Sequence, residues 1–222
     1  MLFAAGFGTR MGHLTRHRPK PLIPVAGRPL IDHVLALVQA ARTGPVVANL
    51  HYKPEMLEAH LQGSGVRTIR EHPEILDTGG GLRNALSVLG PDPIVTMNTD
   101  AVWAGPNPID LLENAWEPDR MDALLVCVPD TQTRGHVGAG DFRIAQDGQL
   151  IRGTEVVYGG VQILKTGLLH DVPETCFSLN VIWNQMAAKG RLFGLGYPGQ
   201  WCDVGHPDGI AEAETMLAKS NV

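Results

Sequence analysis

The sequence predicts an α/β fold: a Rossmann-like, mixed and mainly parallel sheet with helices on both faces. Two observations carry this. Strand-length apolar runs alternate with helix-period stretches through the first 128 residues. Strand alternating with helix at this spacing implies a parallel sheet covered on both faces. The second half then changes to short pieces rich in glycine and turn residues, which adds antiparallel strands to the parallel set.

Taken in order, residues 2–5 read as a short buried strand entering a glycine turn. It is short for a central strand, which leaves open a start upstream. Residues 29–42 carry Ile31, Val34, Leu35 and Val38 on one helical stripe, with Pro29 suited to a first turn. A strand over 45–50, a helix after Pro54, a strand over 66–70 and a helix starting near Thr78–Gly81 follow. Residues 93–98 form another buried strand, ending on Asp100. Residues 122–128 are a further one. Gln146-Asp147-Gly148-Gln149 reads as a hairpin turn through Asp-Gly. The stretch 207–219 is an amphipathic helix. The expected organisation is one domain over 1–222: a nucleotide-binding half (1–120), then a half (121–222) closing the other side of a cleft.

The composition excludes several classes. A 222-residue chain that is 44% hydrophobic can bury a substantial core. Its net charge of −5 argues against a nucleic-acid binder, which needs a broad basic surface. No apolar run approaches the roughly 18 residues of a membrane span, and no secretory signal is visible. Cys127, Cys176 and Cys202 are odd in number and form no CxxC pair, so neither zinc nor a disulfide framework is indicated. A cytoplasmic location is the simplest expectation.

Against that acidic background, Arg10, Arg16, Arg18, Lys20 and Arg28 all precede the first acid, Asp32. They follow the Gly6-Phe7-Gly8 turn. Glycines let backbone N–H groups approach a phosphate, and fixed cations neutralise it. On spacing alone, G-x-G is also an ordinary strand-to-helix turn. A dinucleotide fingerprint needs a third glycine where Met11 stands, and a P-loop needs a Gly-Lys-Ser/Thr that is absent.

The whole 3–25 segment is more specific. Ala4, Ala5, Gly6, Gly8, Arg10, Thr15, Pro19, Lys20, Pro21, Pro24 and Val25 match the pattern LxAGxGxRxxPxTxxxPKPxxPV; His13 stands where proline is frequent. By this segment the chain resembles the sugar-phosphate nucleotidyltransferases. The resemblance implies the nucleotide-diphospho-sugar transferase, GT-A-like version of the fold. It implies nucleotide binding by Ala4, Ala5, Gly6, Gly8, Thr9 and Arg10, with Arg10 on the departing pyrophosphate and Lys20 on the α-phosphate and sugar phosphate. Cations placed there stabilise the charge that spreads during attack on the α-phosphorus.

A lone aspartate after a strand is usually a cap or a turn residue. In the family, a strand-ending Asp and the Asp of a late DVG segment jointly hold Mg²⁺. Asp100, with neighbouring Asn98 on the nucleotide, and Asp203 correspond. Thr99 stands where glycine is usual, and its β-branch restricts the backbone there. Leu76-Asp77-Thr78-Gly79-Gly80-Gly81 is either a flexible loop or, as the resemblance implies, a wall beside base and ribose contributed by Thr78, Gly79 and Gly80. Gly140, Asp141, Gly159 and Gly160 lie where the family's acceptor half approaches the sugar, although hairpin glycines read the same way. His206 is better read as a surface residue, and Cys202 as packing.

The triple glycine after an acid, Asn49-Leu50-His51-Tyr52, Gly140-Asp141-Phe142-Arg143 and the Trp201-x-Asp203-Val204-Gly205 ending resemble the N-acetylmuramate-1-phosphate uridylyltransferase subgroup of cell-wall recycling. The expected partners are a nucleoside triphosphate, UTP by preference, and a sugar 1-phosphate. Neither nucleic acid nor membrane is expected, and oligomeric state is not legible. A guanylyl- or thymidylyltransferase on another hexose or heptose, and a non-catalytic nucleotide-sugar sensor, are the competing readings. Retention of Arg10, Lys20, Asp100 and Asp203 favours an enzyme.

Overall fold

The computed structural model describes residues 1–42 and 44–220. Strand β1 (Leu2–Phe3) opens the chain and leads into a 3₁₀ segment, Thr9–Thr15. Strands β2 (Pro24–Val25) and β3 (Arg28–Pro29) make a small hairpin. Helix α1 (Leu30–Ala41) follows, with Pro29 at its N-cap rather than inside the first turn. Next come β4 (Val47–Leu50), α2 (Pro54–Leu61), β5 (Arg67–Arg70), α3 (Asp77–Leu89) and β6 (Ile94–Asn98). Then come β7 (Ala101–Ala104), α4 (Pro108–Ala115) and, past residue 120, β8 (Ala123–Pro129). The second half adds β9 (Thr133–Arg134), β10 (Phe142–Ile144), β11 (Leu150–Arg152), β12 (Val156–Leu164), α5 (Asn180–Ala188), β13 (Leu192–Gly196), β14 (Gln200–Asp203) and α6 (Asp208–Ser220).

The expected mixed sheet is present. Strands β5, β4, β1 and β6 run parallel, and β12 joins antiparallel to β6. On its other edge β12 pairs antiparallel with β8, which pairs parallel with β13. The β10–β11 hairpin turns through Asp147-Gly148, with Gly148 at φ 87°.

Burial follows the period of two. Along β8, Leu124, Val126 and Val128 face one core and Ala123, Leu125 and Cys127 the other. The first core takes Ile31, Val34, Leu35 and Val38 of α1 with Leu57 of α2 and Ile109 of α4. The second takes Leu82 and Ala85 of α3 and Ile182, Trp183 and Met186 of α5. The helices therefore cover both faces. Among the described residues, no helix is long and apolar enough to cross a membrane.

A second sheet, β7–β14–β9, is what the sequence reading lacked. Residues 101–104 follow Asp100 with no turn signal strong enough to separate them from β6. Their ladder with β14 sets Asp203 opposite Ala101, and the Val204 N–H donates to the Asp100 carbonyl at 2.9 Å. Two aspartates 103 positions apart are thereby made neighbours. Helix α6 packs Ala213 and Met216 beneath this sheet, against Met11, Val102 and Cys202.

Candidate active site

A cleft of about 310 Å³ opens at the carboxyl ends of the parallel strands. Ala4, Ala5, Gly6, Gly8, Thr9 and Arg10 form one wall, Asp77 and Thr78 another, and Lys20, Asn49, Asn98, Asp100 and Gly205 line the rest. It continues into a second lobe of about 230 Å³ lined by Arg10, Asn98, Asp100, His136, Asp141, Tyr158, Gly159, Trp201 and Asp203.

Gly8 has φ 64°, and a Cβ there would sit 2.9 Å from both Lys20 Cβ and Thr15 Cγ2. Only glycine lets the loop turn left-handed and lie against Lys20. The Lys20 side chain is buried under the loop and its Nζ donates to Asp100 Oδ2 at 3.0 Å. Gly205 serves the opposite side: a Cβ would be 2.9 Å from Asp203 Oδ2 and 3.1 Å from an Arg10 guanidinium nitrogen. Arg10, Lys20, Asp100 and Asp203 thus converge where the two lobes meet. Of the other early cations, Arg28 turns away and donates to the Asp32 carbonyl, and Arg16 and Arg18 are exposed outside both lobes.

The carboxyl of Asp203 is held above the usual carboxylate range, first by burial and next by Asp100, against the pull of Lys20, Arg10 and His136. Asp203 and Asp100 offer oxygen donors only. That donor set fits a hard divalent cation such as Mg²⁺, which takes one or two carboxylates and completes its shell with phosphate oxygens and water. Among the described residues no cluster of three or more His, Cys, Asp or Glu could hold a metal by itself. Thr99 does not distort the loop. Its φ is not in the left-handed region, and its hydroxyl donates to the Phe3 carbonyl at 2.7 Å, tying β6 to β1.

Four of the expected site glycines are off the wall of the cleft. Gly79 and Gly80 are buried, and their amides donate to the Phe177 carbonyl at 2.8 and 3.1 Å. A Cβ on either would run into Phe177 or the Thr175 carbonyl. They accept a strap from the second half of the chain instead of a planar base. Gly140 lies against the backbone of β12, where a Cβ would be 2.7 Å from the Thr154 and Val156 carbonyls. Gly160, at φ 89°, makes the bulge that carries β12 past Asn98. Gly159 and Asp141 do face the second lobe, and Asp141 Oδ2 accepts from the Tyr158 N–H at 2.8 Å.

Trp201, noted in sequence only as part of the ending before Asp203, lines that lobe, together with His136 and Tyr158, which no sequence motif marked. Only the tertiary bulge in β12 brings Tyr158 there, and no local pattern signals it. His206 bonds the Gly135 carbonyl at 2.8 Å. Burial pushes the Cys202 thiol up to about 12, helped by Glu212 and Asp203, so it packs and does not react.

Comparison with known proteins places the chain in a family. The profile of the MobA-like NTP transferase domain matches residues 1–192. An N-acetylmuramate alpha-1-phosphate uridylyltransferase of Caulobacter vibrioides is 38% identical, covering 99% of this chain and 97% of its own. A mannose-1-phosphate guanylyltransferase of Mycobacterium tuberculosis is 35% identical over 99% of this chain but only 64% of its own. Among solved structures, HddC from Yersinia pseudotuberculosis, complexed with GMP-PN, shares the fold at a TM-score of 0.76 and 20% identity, with 97% of each chain covered. An apo UDP-glucose pyrophosphorylase does so at 0.77 and 16% identity, covering all of this chain and 98% of its own. The chain belongs to the MobA-like NTP transferase domain family and is a nucleotidyltransferase.

Proposed function

We propose that the enzyme transfers a uridylyl group from UTP to N-acetylmuramate 1-phosphate, releasing pyrophosphate. The observation that carries this reading is the 38% identity with the Caulobacter uridylyltransferase over 99% of this chain. Residues 1–120 hold the nucleotide and residues 121–222 the sugar phosphate. The glycine loop, Ala4 to Thr9, presents backbone amides to the triphosphate. A phosphate oxygen of the sugar phosphate attacks the α-phosphorus in line. The bond from that phosphorus to the bridging oxygen breaks, and pyrophosphate leaves with the electron pair. Lys20 neutralises the attacked phosphate and orients the sugar phosphate, while Arg10 takes the charge that builds on the leaving group. Asp100 and Asp203 would hold Mg²⁺, which supplies further positive charge to the phosphate oxygens. No covalent intermediate is required, because positioning and charge supply the catalysis.

Pyrophosphate release measured across the four common nucleoside triphosphates and a panel of sugar 1-phosphates tests this. Turnover is expected with UTP and N-acetylmuramate 1-phosphate. Absence of turnover with UTP and any sugar phosphate would remove the reading. The second reading is a guanylyltransferase, favoured by the 35% identity with the Mycobacterium enzyme; turnover with GTP alone would establish it.

A further inference from the structure

The strand-end residue Asn49 has a role that neither the glycine loop nor the paired aspartates explain. It is 4% exposed, yet it lines the nucleotide cleft. Its Oδ1 accepts from the Ala4 N–H at 2.9 Å, and its Nδ2 donates to Glu71 Oε1 at 2.7 Å. Glu71 is itself 3% exposed, and no Lys or Arg pairs with it among the described residues. Its second oxygen accepts from the Leu76 N–H at 2.8 Å, and its own N–H donates to the Leu50 carbonyl at 2.8 Å. The third glycine of the triple makes room for the pair: a Cβ on Gly81 would lie 2.6 Å from Glu71 Oε1 and 2.8 Å from Asn49 Nδ2.

Two separate partners therefore fix the Asn49 amide the same way round. Turned over, its oxygen would face a buried carboxylate and its N–H would face the Ala4 N–H, both without compensation. A primary amide nitrogen has two hydrogens. Glu71 takes one, and the other has no partner among the described residues. We propose that Asn49 is a specificity-determining residue: locked by Glu71, it offers the cleft an N–H donor, and the base it accepts must present a carbonyl oxygen. Uracil, thymine, guanine and cytosine carry one or two such oxygens; adenine carries none. An unmatched buried donor rejects a base by roughly tenfold or more.

This rests on the reading that the cleft holds the nucleotide. The first arm of the test uses the wild-type enzyme with UTP, GTP, ATP and two UTP analogues, one lacking O2 and one lacking O4 of the base. KM for ATP is expected at least tenfold above that for UTP. One analogue should show a similar rise, with kcat within about threefold. If both analogues match UTP, or ATP serves as well as UTP, the inference is wrong. Turnover of GTP in place of UTP would sink the uridylyl reading and leave the inference standing on the guanine carbonyl.

The second arm is the double variant Asn49→Asp with Glu71→Gln. It preserves all three bonds: the new carboxylate accepts from Ala4 and from the new amide, whose oxygen accepts from Leu76. The polarity shown to the cleft is inverted, and the negative charge moves from residue 71 to residue 49; a shift of preference toward ATP, beyond the general loss of nucleotide affinity that charge causes, is the readout of polarity. Its Tm should stay near wild type, its KM for UTP should rise at least tenfold, and its preference should move toward ATP. An unchanged KM for UTP in a folded double variant would reduce the pair to a brace between two walls. The analogue arm decides the matter if the variant does not fold.

Discussion

Two glycine-rich segments follow strands at the same edge of the sheet, and they use their glycines for opposite ends. In the opening loop, Gly6 and Gly8 line the cleft, and Gly8 adopts a left-handed conformation over Lys20. In the segment 79–81, the amides of Gly79 and Gly80 are taken by the Phe177 carbonyl, and the missing side chains make room for Phe177, Thr175, Glu71 and Asn49. The opening loop leaves its backbone free for a ligand, and the Gly79 and Gly80 amides are already spent on the chain itself. Glycine in sequence signals close approach; what approaches Gly79 and Gly80 is the distant segment at Thr175 and Phe177.

The contrast separates activity from stability. The largest effect belongs to the cleft. Lys20→Ala removes a cation that stabilises developing charge, and kcat should fall by about 10²–10³. Tm should hold within a few degrees, because its partner Asp100 is left one-third exposed and not buried. A kcat within about threefold of wild type would break the assignment of Lys20.

Glycine variants sharpen the comparison directly. Gly79→Ala forces a methyl group into a rigid contact with Phe177, and overpacking of this kind costs about 1–3 kcal/mol, or a Tm drop of about 3–10 °C. Gly6→Ala meets no heavy atom within 4 Å. It should leave Tm unchanged and raise KM for the nucleotide about tenfold, because the methyl group keeps phosphate off the loop. Thermal melts and steady-state kinetics on both variants check this. If Gly79→Ala raised KM and spared Tm, the triple glycine would belong to the ligand after all.

The residues show why some of this was legible in sequence and some was not. The α1 stripe and the buried strands announce themselves by period, because burial acts on neighbours in the chain. The Asp147-Gly148 turn is local chemistry. Arg10 and Lys20 could be read because loop and cations lie within one segment. Asp203 came only from likeness to a family, since the ladder that sets it beside Asp100 consists of two short strands with no pattern of their own. Gly79 and Gly80 misled because the strap they receive, Thr175 to Phe177, carries no signal that it will dock there. Glu71 was invisible: nothing local marks a carboxylate as buried.

The smallest expected effects are in stability against pH, where two aspartates should behave with opposite sign. Asp122 belongs to the frame. Burial would raise its pKa, but hydrogen bonds from Arg191 and Lys165, with their charges, bring it below the usual value. Its folded-state pKa therefore lies under the unfolded value of about 3.9. It contributes stability above that value and loses it as pH falls through the folded pKa. Asp203 belongs to the cleft, and its pKa is raised by burial and then by Asp100. It subtracts stability above its folded pKa, and the penalty is relieved as pH falls through that point. In magnesium-free buffer, Asp122→Asn should lower Tm at pH 7 and converge with wild type near pH 3. Asp203→Asn should raise Tm at pH 7, converge on acidification, and abolish most activity. Melts from pH 3 to 7 decide it. A Tm loss in Asp203→Asn at pH 7 would mean that this carboxylate supports the fold, and the division between a frame that stabilises and a cleft that works against the fold would fail at its most charged residue.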